Sequence, residues 1–165
     1  MKRFFFAVLL GLALVVLGVT AVGYMLPQDH VASREIVFPA PPASIFEAIS
    51  DVARYPEWRR DLTSVDVISA APLKWREHAG GDAITFEVVE SRPQERLEVR
   101  IADPDLPFGG TWTYELMPED SSTRLRITER GEVYNPVFRF MSRFVFGHTA
   151  TLDAYLTDLR ARLAS

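Results

Sequence analysis

At 165 residues and a net charge of −4, the chain has room for one domain and an appendage, without the basic footprint of a nucleic-acid binder. The absence of cysteine excludes disulfides, thiol nucleophiles and thiolate metal sites. His30, His78 and His148 are too widely spaced for a metal-binding pair, and neither a glycine-rich phosphate loop nor a nucleophile elbow occurs, so we expect no metal and no cofactor.

The appendage is N-terminal. From Phe4 to Leu26 no residue is charged, and Phe, Leu and Val dominate. That is the length of a membrane span, longer than the apolar core of about 7–15 residues in a usual signal peptide. Lys2 and Arg3 before it, and Asp29 after it, place the N-terminus in the cytoplasm and the domain outside. Val19-Thr20-Ala21 is a passable cleavage site, so a secreted domain is the alternative. The chain thus divides into an anchor or signal sequence over 1–26, a linker over 27–32 and a domain over 33–165. The domain is acidic, and general charge does not hold it to anionic lipid.

Ser33–Phe38 reads as a first strand, stopped by Pro39, Pro41 and Pro42. A short amphipathic helix follows from Pro42 to Ile49, then a helical turn or bend over Asp51–Trp58, broken at Pro56. The period next switches to two, predicting strands at Ser64–Ser69, Leu73–His78, Ala83–Glu90, Glu95–Ile101, Thr111–Met117 and Thr123–Val133. Short links rich in turn residues imply an antiparallel meander. The link Asp103–Gly110 is longer, with Leu106 and Phe108 beside two glycines; these either pack on the sheet edge or form a flap at a cavity mouth.

Asn135 and Pro136 are a helix-start signal, and the apolar spacing predicts one helix to Leu163. Val137, Phe138, Met141, Phe144, Val145, Leu152, Tyr155, Leu156, Leu159 and Leu163 share a face, with Asp153 opposite. His148 falls within that face, and Gly147 beside it is a point where the helix can bend. Phe140 and Phe146 lie off the stripe; the N-terminal half either packs more widely or borders a cavity or membrane surface. The apolar strand faces must turn toward this helix, because nothing else could cover them. Glu77 and Glu129 come along in phase.

The blocks Pro-Ala-Ser-Ile-Phe-Glu-Ala-Ile-Ser-Asp-Val-Ala-Arg-Tyr-Pro-Glu-Trp at 42–58, Thr-Glu-Arg-Gly-Glu at 128–132 and Leu-Thr-Asp-Leu-Arg at 156–160 carry a resemblance. Over residues 33–163 the chain resembles the SRPBCC superfamily, the START-like and polyketide cyclase/dehydrase proteins. The resemblance implies an α+β helix-grip fold: a strand, two short helices, a six-stranded antiparallel meander and a long C-terminal helix across the curved sheet. It also implies an apolar cavity between sheet and helix. Lining it would be Trp75, Glu77, Phe86, Val88, Trp112, Tyr114, Ile127, Glu129, Met141, Val145, His148 and Leu152, with Leu106 and Phe108 as a gate.

Of the inward polar residues, Glu129 must either find an ion pair or hydrogen bond, or carry a raised pKa. Glu77, near a strand end, is expected to be solvated, and Tyr55 and Trp58 to pack around the short helices. Glu129 and His148 are the candidate acid–base groups. The functional expectation is a membrane-tethered module binding a hydrophobic small molecule or lipid. The alternatives are a cyclase, dehydratase or hydrolase in the same cavity, and a protein-interaction domain at the membrane.

Overall fold

The computed structural model describes residues 2–146 and 149–164. Helix α1 runs from Lys2 to Met25, and only Leu26, Pro27 and Gln28 separate it from strand β1, Asp29–Phe38. Helix α2 (Pro42–Ser50) and a 3₁₀ turn (Val52–Glu57) follow. Six further strands then run as a meander: β2 Ser64–Ala70, β3 Leu73–Ala79, β4 Asp82–Arg92, β5 Arg96–Ile101, β6 Phe108–Glu119 and β7 Ser122–Val133. The strands form one sheet in the order β1-β7-β6-β5-β4-β3-β2, with every pairing antiparallel. Helix α3 (Pro136–Met141), a π-wound turn (Ser142–Phe146) and helix α4 (Ala150–Leu163) complete the described chain.

Local chemistry explains these elements. Pro42 opens α2, where its missing N–H costs nothing. Gly80 and Gly81, both at positive φ, make the tight turn between β3 and β4 that matches strand twist. Irregular register between Val67 and Ser69, and again between Val88 and Glu90, bends the sheet into a curve. The Asn135 side chain accepts from the backbone N–H groups of Val137 at 2.9 Å and Phe138 at 3.3 Å, capping α3.

The core lies between the curved sheet on one side and α2 and α4 on the other. Ile45 and Ile49 from α2, Leu125 and Ile127 from β7, and Leu152 and Leu159 from α4 are fully buried within it. Asp158 of α4 is buried too, accepting from the backbone N–H of Arg60 at 3.0 Å and from its Nε at 2.7 Å. That ties α4 to the turn before β2.

Several elements differ from the sequence-based expectation, among them β6, which begins at Phe108 rather than Thr111. Strand β1 begins at Asp29 rather than Ser33, because residues 29–32 continue the ladder against Gly131, Arg130, Glu129 and Glu132 of β7. The helical stretch from Asn135 is not one rod covering the sheet. Leu152, Tyr155, Leu156 and Leu159 are buried, but Val137, Phe138, Phe144 and Val145 are exposed. The apolar spacing is the same in both halves; only α4 has the sheet opposite it.

Candidate functional site

The concave face of the sheet carries two polar poles joined by aromatic rings. Its centre is filled. Phe86 stacks on Trp75 at 5.6 Å, Trp75 meets the edge of Tyr55 at 6.5 Å, and Tyr55 meets Trp58 at 5.4 Å. Tyr155 of α4 then touches Trp58, Trp112 and Tyr114 at 5.4, 5.7 and 5.7 Å. Tyr55 and Trp58 do pack around the short helices as expected, and they also reach across to α4.

At the first pole a cation is enclosed. Arg59 Nη1 donates to both Glu77 oxygens at 2.9 Å, and Nη2 donates to Asp61 at 2.7 Å. Trp75 Nε1 donates a third hydrogen bond to Glu77 at 2.9 Å. The guanidinium also lies over the rings of Tyr55 and Tyr155, at 5.3 and 5.5 Å. Burial works against the Arg59 charge, but Glu77 and Asp61 more than offset it, and its pKa ends above the ordinary value. Glu77 is therefore not solvated at a strand end. It is 7 % exposed and ion-paired.

Tyr55, Tyr114 and Tyr155 surround this pole, and burial pushes all three pKa values well up, keeping the phenols neutral. Tyr55 Oη donates to the Ile49 carbonyl at 2.7 Å. Tyr155 Oη makes no hydrogen bond of good geometry among the described residues, although Tyr114 and Tyr55 are near enough to couple to it. A buried phenol of this kind can serve a polar group on a bound molecule.

The second pole is His30 and Glu129. Strand register sets Glu129 between Ala32 of β1 and Trp112 of β6, and sets His30 opposite Gly131. His30 Nε2 lies 3.4 Å from Glu129 Oε1, with both side chains largely covered. A β-carbon on Gly131 would fall 2.2 Å from the His30 ring, so the absence of a side chain there makes room for the imidazole. Burial lowers the His30 pKa below 6.5, only partly opposed by Asp29. A neutral imidazole beside a carboxylate can exchange a proton with a bound molecule.

The sign of the His30 shift gives a measurable result. Between the lowered folded pKa and the unfolded value of 6.5, the unfolded chain binds more protons, so stability falls as pH drops through that window. His30→Gln should flatten the fall. NMR titration of the imidazole together with denaturant midpoints checks this, and a His30 pKa above 6.5 would refute it.

Of the expected lining residues, Trp75, Tyr114, Ile127 and Leu152 stand within the packed core, while Phe86, Val88, Trp112 and Met141 are half-buried and Val145 is exposed. His148 lies outside the described residues. Phe108 is already the first residue of β6, paired with Val133, and Leu106 sits in the loop before it; both are half-buried. The backbone N–H of Tyr134 donates to the Pro107 carbonyl at 2.8 Å and fastens that loop. Two open grooves lie elsewhere. One of about 530 Å³ involves Lys74, Glu87, Arg100 and Tyr134, and one of about 210 Å³ lies between α2 and the end of α4. Among the described residues, no cluster of His, Cys, Asp and Glu could hold a metal ion.

Sequence reasoning missed His30 and Arg59. Extending the alternation of β1 back from Ser33 would have put His30 on the inward side. An in-phase Glu77 among apolar residues was itself a sign that a cation must come to it.

The model of one family, described as polyketide cyclase / dehydrase and lipid transport, matches residues 29–164. The chain belongs to that family. Solved structures show the same fold at low identity. A START superfamily protein from Mycobacterium smegmatis is 19 % identical, with a TM-score of 0.63 over 82 % of this chain and 97 % of the other. An aromatase/cyclase from Streptomyces is 13 % identical, with a TM-score of 0.67 over 82 % and 94 %. Norcoclaurine synthase from Thalictrum flavum is 12 % identical, with a TM-score of 0.66 over 83 % and 87 %. No protein of curated function matches the sequence.

Proposed function

We propose that this family member is a membrane-tethered binding module for a hydrophobic small molecule or lipid, held between the sheet and the C-terminal helix. One observation carries the reading: Phe86, Val88 and Trp112, which alternate inward, remain half-buried on the same concave face as the His30–Glu129 pair. Apolar rings beside a small polar pair suit an apolar molecule with one polar end. The tether is α1, whose Arg3–Met25 stretch has a mean hydropathy of 2.8 and no buried residue in its most apolar window. Lys2 and Arg3 orient it with the domain outside the cytoplasm. Alkylation of Thr157→Cys by a membrane-impermeant maleimide in intact cells checks that orientation; reaction only after lysis would reverse it.

A second reading, a cyclase- or dehydratase-type enzyme, is favoured by the proximity of His30 and Glu129. The two separate experimentally. Native mass spectrometry of the full chain should reveal a co-purified hydrophobic molecule in one-to-one amount. Trp112→Ala or Phe86→Ala should then weaken its binding by about tenfold or more, roughly 1.4 kcal/mol. Glu129→Gln should change affinity far less. A product formed by the wild type and lost in Glu129→Gln, with binding retained, would sink the binding-module reading in favour of the enzyme.

A further inference from the structure

Val137, Phe138, Phe144 and Val145 of α3 and the π-wound turn are exposed, yet they are not placed at random. Helix α3 packs on the last turn of α1. A β-carbon on Gly23 would fall 1.9 Å from the Pro136 carbonyl oxygen, so the two backbones touch where α1 has no side chain. Arg139 fastens the contact. Its Nη1 donates to the carbonyls of Gly23 and Leu26, both at 3.4 Å, its Nε to Val133 at 2.7 Å and its Nη2 to Tyr134 at 2.9 Å. Two of those acceptors lie at the C-terminal end of α1, where the Gly23 carbonyl also accepts from the backbone N–H of Leu26 at 3.3 Å.

This contact sets a level. The Arg3–Met25 stretch is about 35 Å long at about 1.5 Å per residue, against about 30 Å of hydrocarbon in a bilayer. Gly23 therefore emerges at the headgroups, and Pro136 is at the same height. In the stretch that follows this contact the chain exposes Phe138 (51 %), Phe144 (60 %) and Val145 (58 %), with Tyr24 and Tyr134 exposed nearby in sequence to the contact. Phe140 and Phe144 pair at 4.9 Å, and Arg143 stands exposed beside them. Exposed Phe and Val with Tyr and Arg close to the end of an apolar span is the composition of a helix lying in a membrane surface.

We propose that Pro136–Phe146 is such an interfacial element, seated on the lipid leaflet from which α1 emerges. The inference rests on α1 being retained as a span. Apolar burial rather than charge holds the segment there, in keeping with the acidic domain behind it. A second consequence is positional: Val133 of β7 and Asp29 of β1 adjoin this level, so the His30–Glu129 end of the concave face is the end nearest the bilayer.

The chain has no cysteine, so single cysteines can be spin-labelled without background. We would label Phe144→Cys, Val145→Cys, Leu14→Cys in α1 and Thr157→Cys on α4, each in the full chain reconstituted into phosphatidylcholine vesicles. Collision with oxygen, which partitions into lipid, is compared with collision with a water-soluble nickel chelate. The expected result is an oxygen-to-nickel ratio severalfold higher at positions 144 and 145 than at 157, at a depth of about 5–10 Å. A lipid-like ratio at Leu14 with a water-like ratio at 144 and 145 would overturn the inference while leaving the anchor intact. Low collision with both reagents, together with dipolar broadening between labels, would overturn it in favour of contact with a second copy. A water-like ratio at Leu14 would refute the anchor, and the interfacial seat with it.

Discussion

Glu77→Ala is expected to cost the domain about 3–5 kcal/mol, the usual loss when one partner of a buried ion pair is removed. The loss comes less from the missing attraction than from what is left behind. Arg59, whose side chain is only 12 % exposed, would keep its charge among Tyr55 and Tyr155 while losing both Nη1 hydrogen bonds. Trp75 Nε1 would lose its acceptor as well. Asp61 remains beside Nη2, but it is half exposed and offsets only part of the change. Replacing both partners, as in Arg59→Met with Glu77→Leu, should therefore be less damaging than Glu77→Ala alone. Urea midpoints of the full chain in detergent measure the difference. A loss under about 1 kcal/mol for Glu77→Ala would show that Arg59 reaches water on its own.

Leu152→Ala should cost about 2–5 kcal/mol, because the leucine is fully buried under the sheet and its removal leaves a cavity as well as lost burial. Leu156→Ala, nearly as buried, belongs in the same range. The neighbouring Asp153→Ala should leave stability nearly unchanged. Asp153 does pair with Arg34, through Nε at 2.6 Å and Nη2 at 3.2 Å, but both side chains are exposed and such pairs contribute little. Thermal melts of the three variants provide the comparison. Similar losses at Leu152, Asp153 and Leu156 would mean that α4 does not lie across the sheet with Leu152 inward.

Much of the fold was legible in advance because the signals are local. Period-two alternation located the six strands of the meander, the Gly80-Gly81 pair marked the β3–β4 turn, and Asn135-Pro136 marked the start of α3. The candidate site was legible only in part. Alternation correctly placed Glu129, Trp112 and Phe86 on the inward side, but their neighbours depend on pairing between distant strands. His30 reaches Glu129 only because β1 crosses the meander to pair with β7, a partnership of residues far apart in sequence. Alternation continued back from Ser33 is compatible with an inward His30, but only the pairing with β7 makes residues 29–32 rungs of that ladder.

By itself, then, the sequence determined the order of the strands, the inward sets of β3 to β7 and the apolar N-terminal segment, since all follow from spacing and residue type along a short length of chain. Tertiary structure decided which of those inward or apolar groups have partners. Glu77 acquired Arg59 from the turn before β2, and Glu129 acquired His30 from β1. The apolar stripe after Asn135 divided into Leu152, Tyr155, Leu156 and Leu159 under the sheet and Val137, Phe138, Phe144 and Val145 outside it. A helical wheel assigns these residues to one face, because 3.6-residue periodicity records only where a side chain points along its own axis. Whether that face meets a sheet or the end of α1 depends on where the chain returns in space.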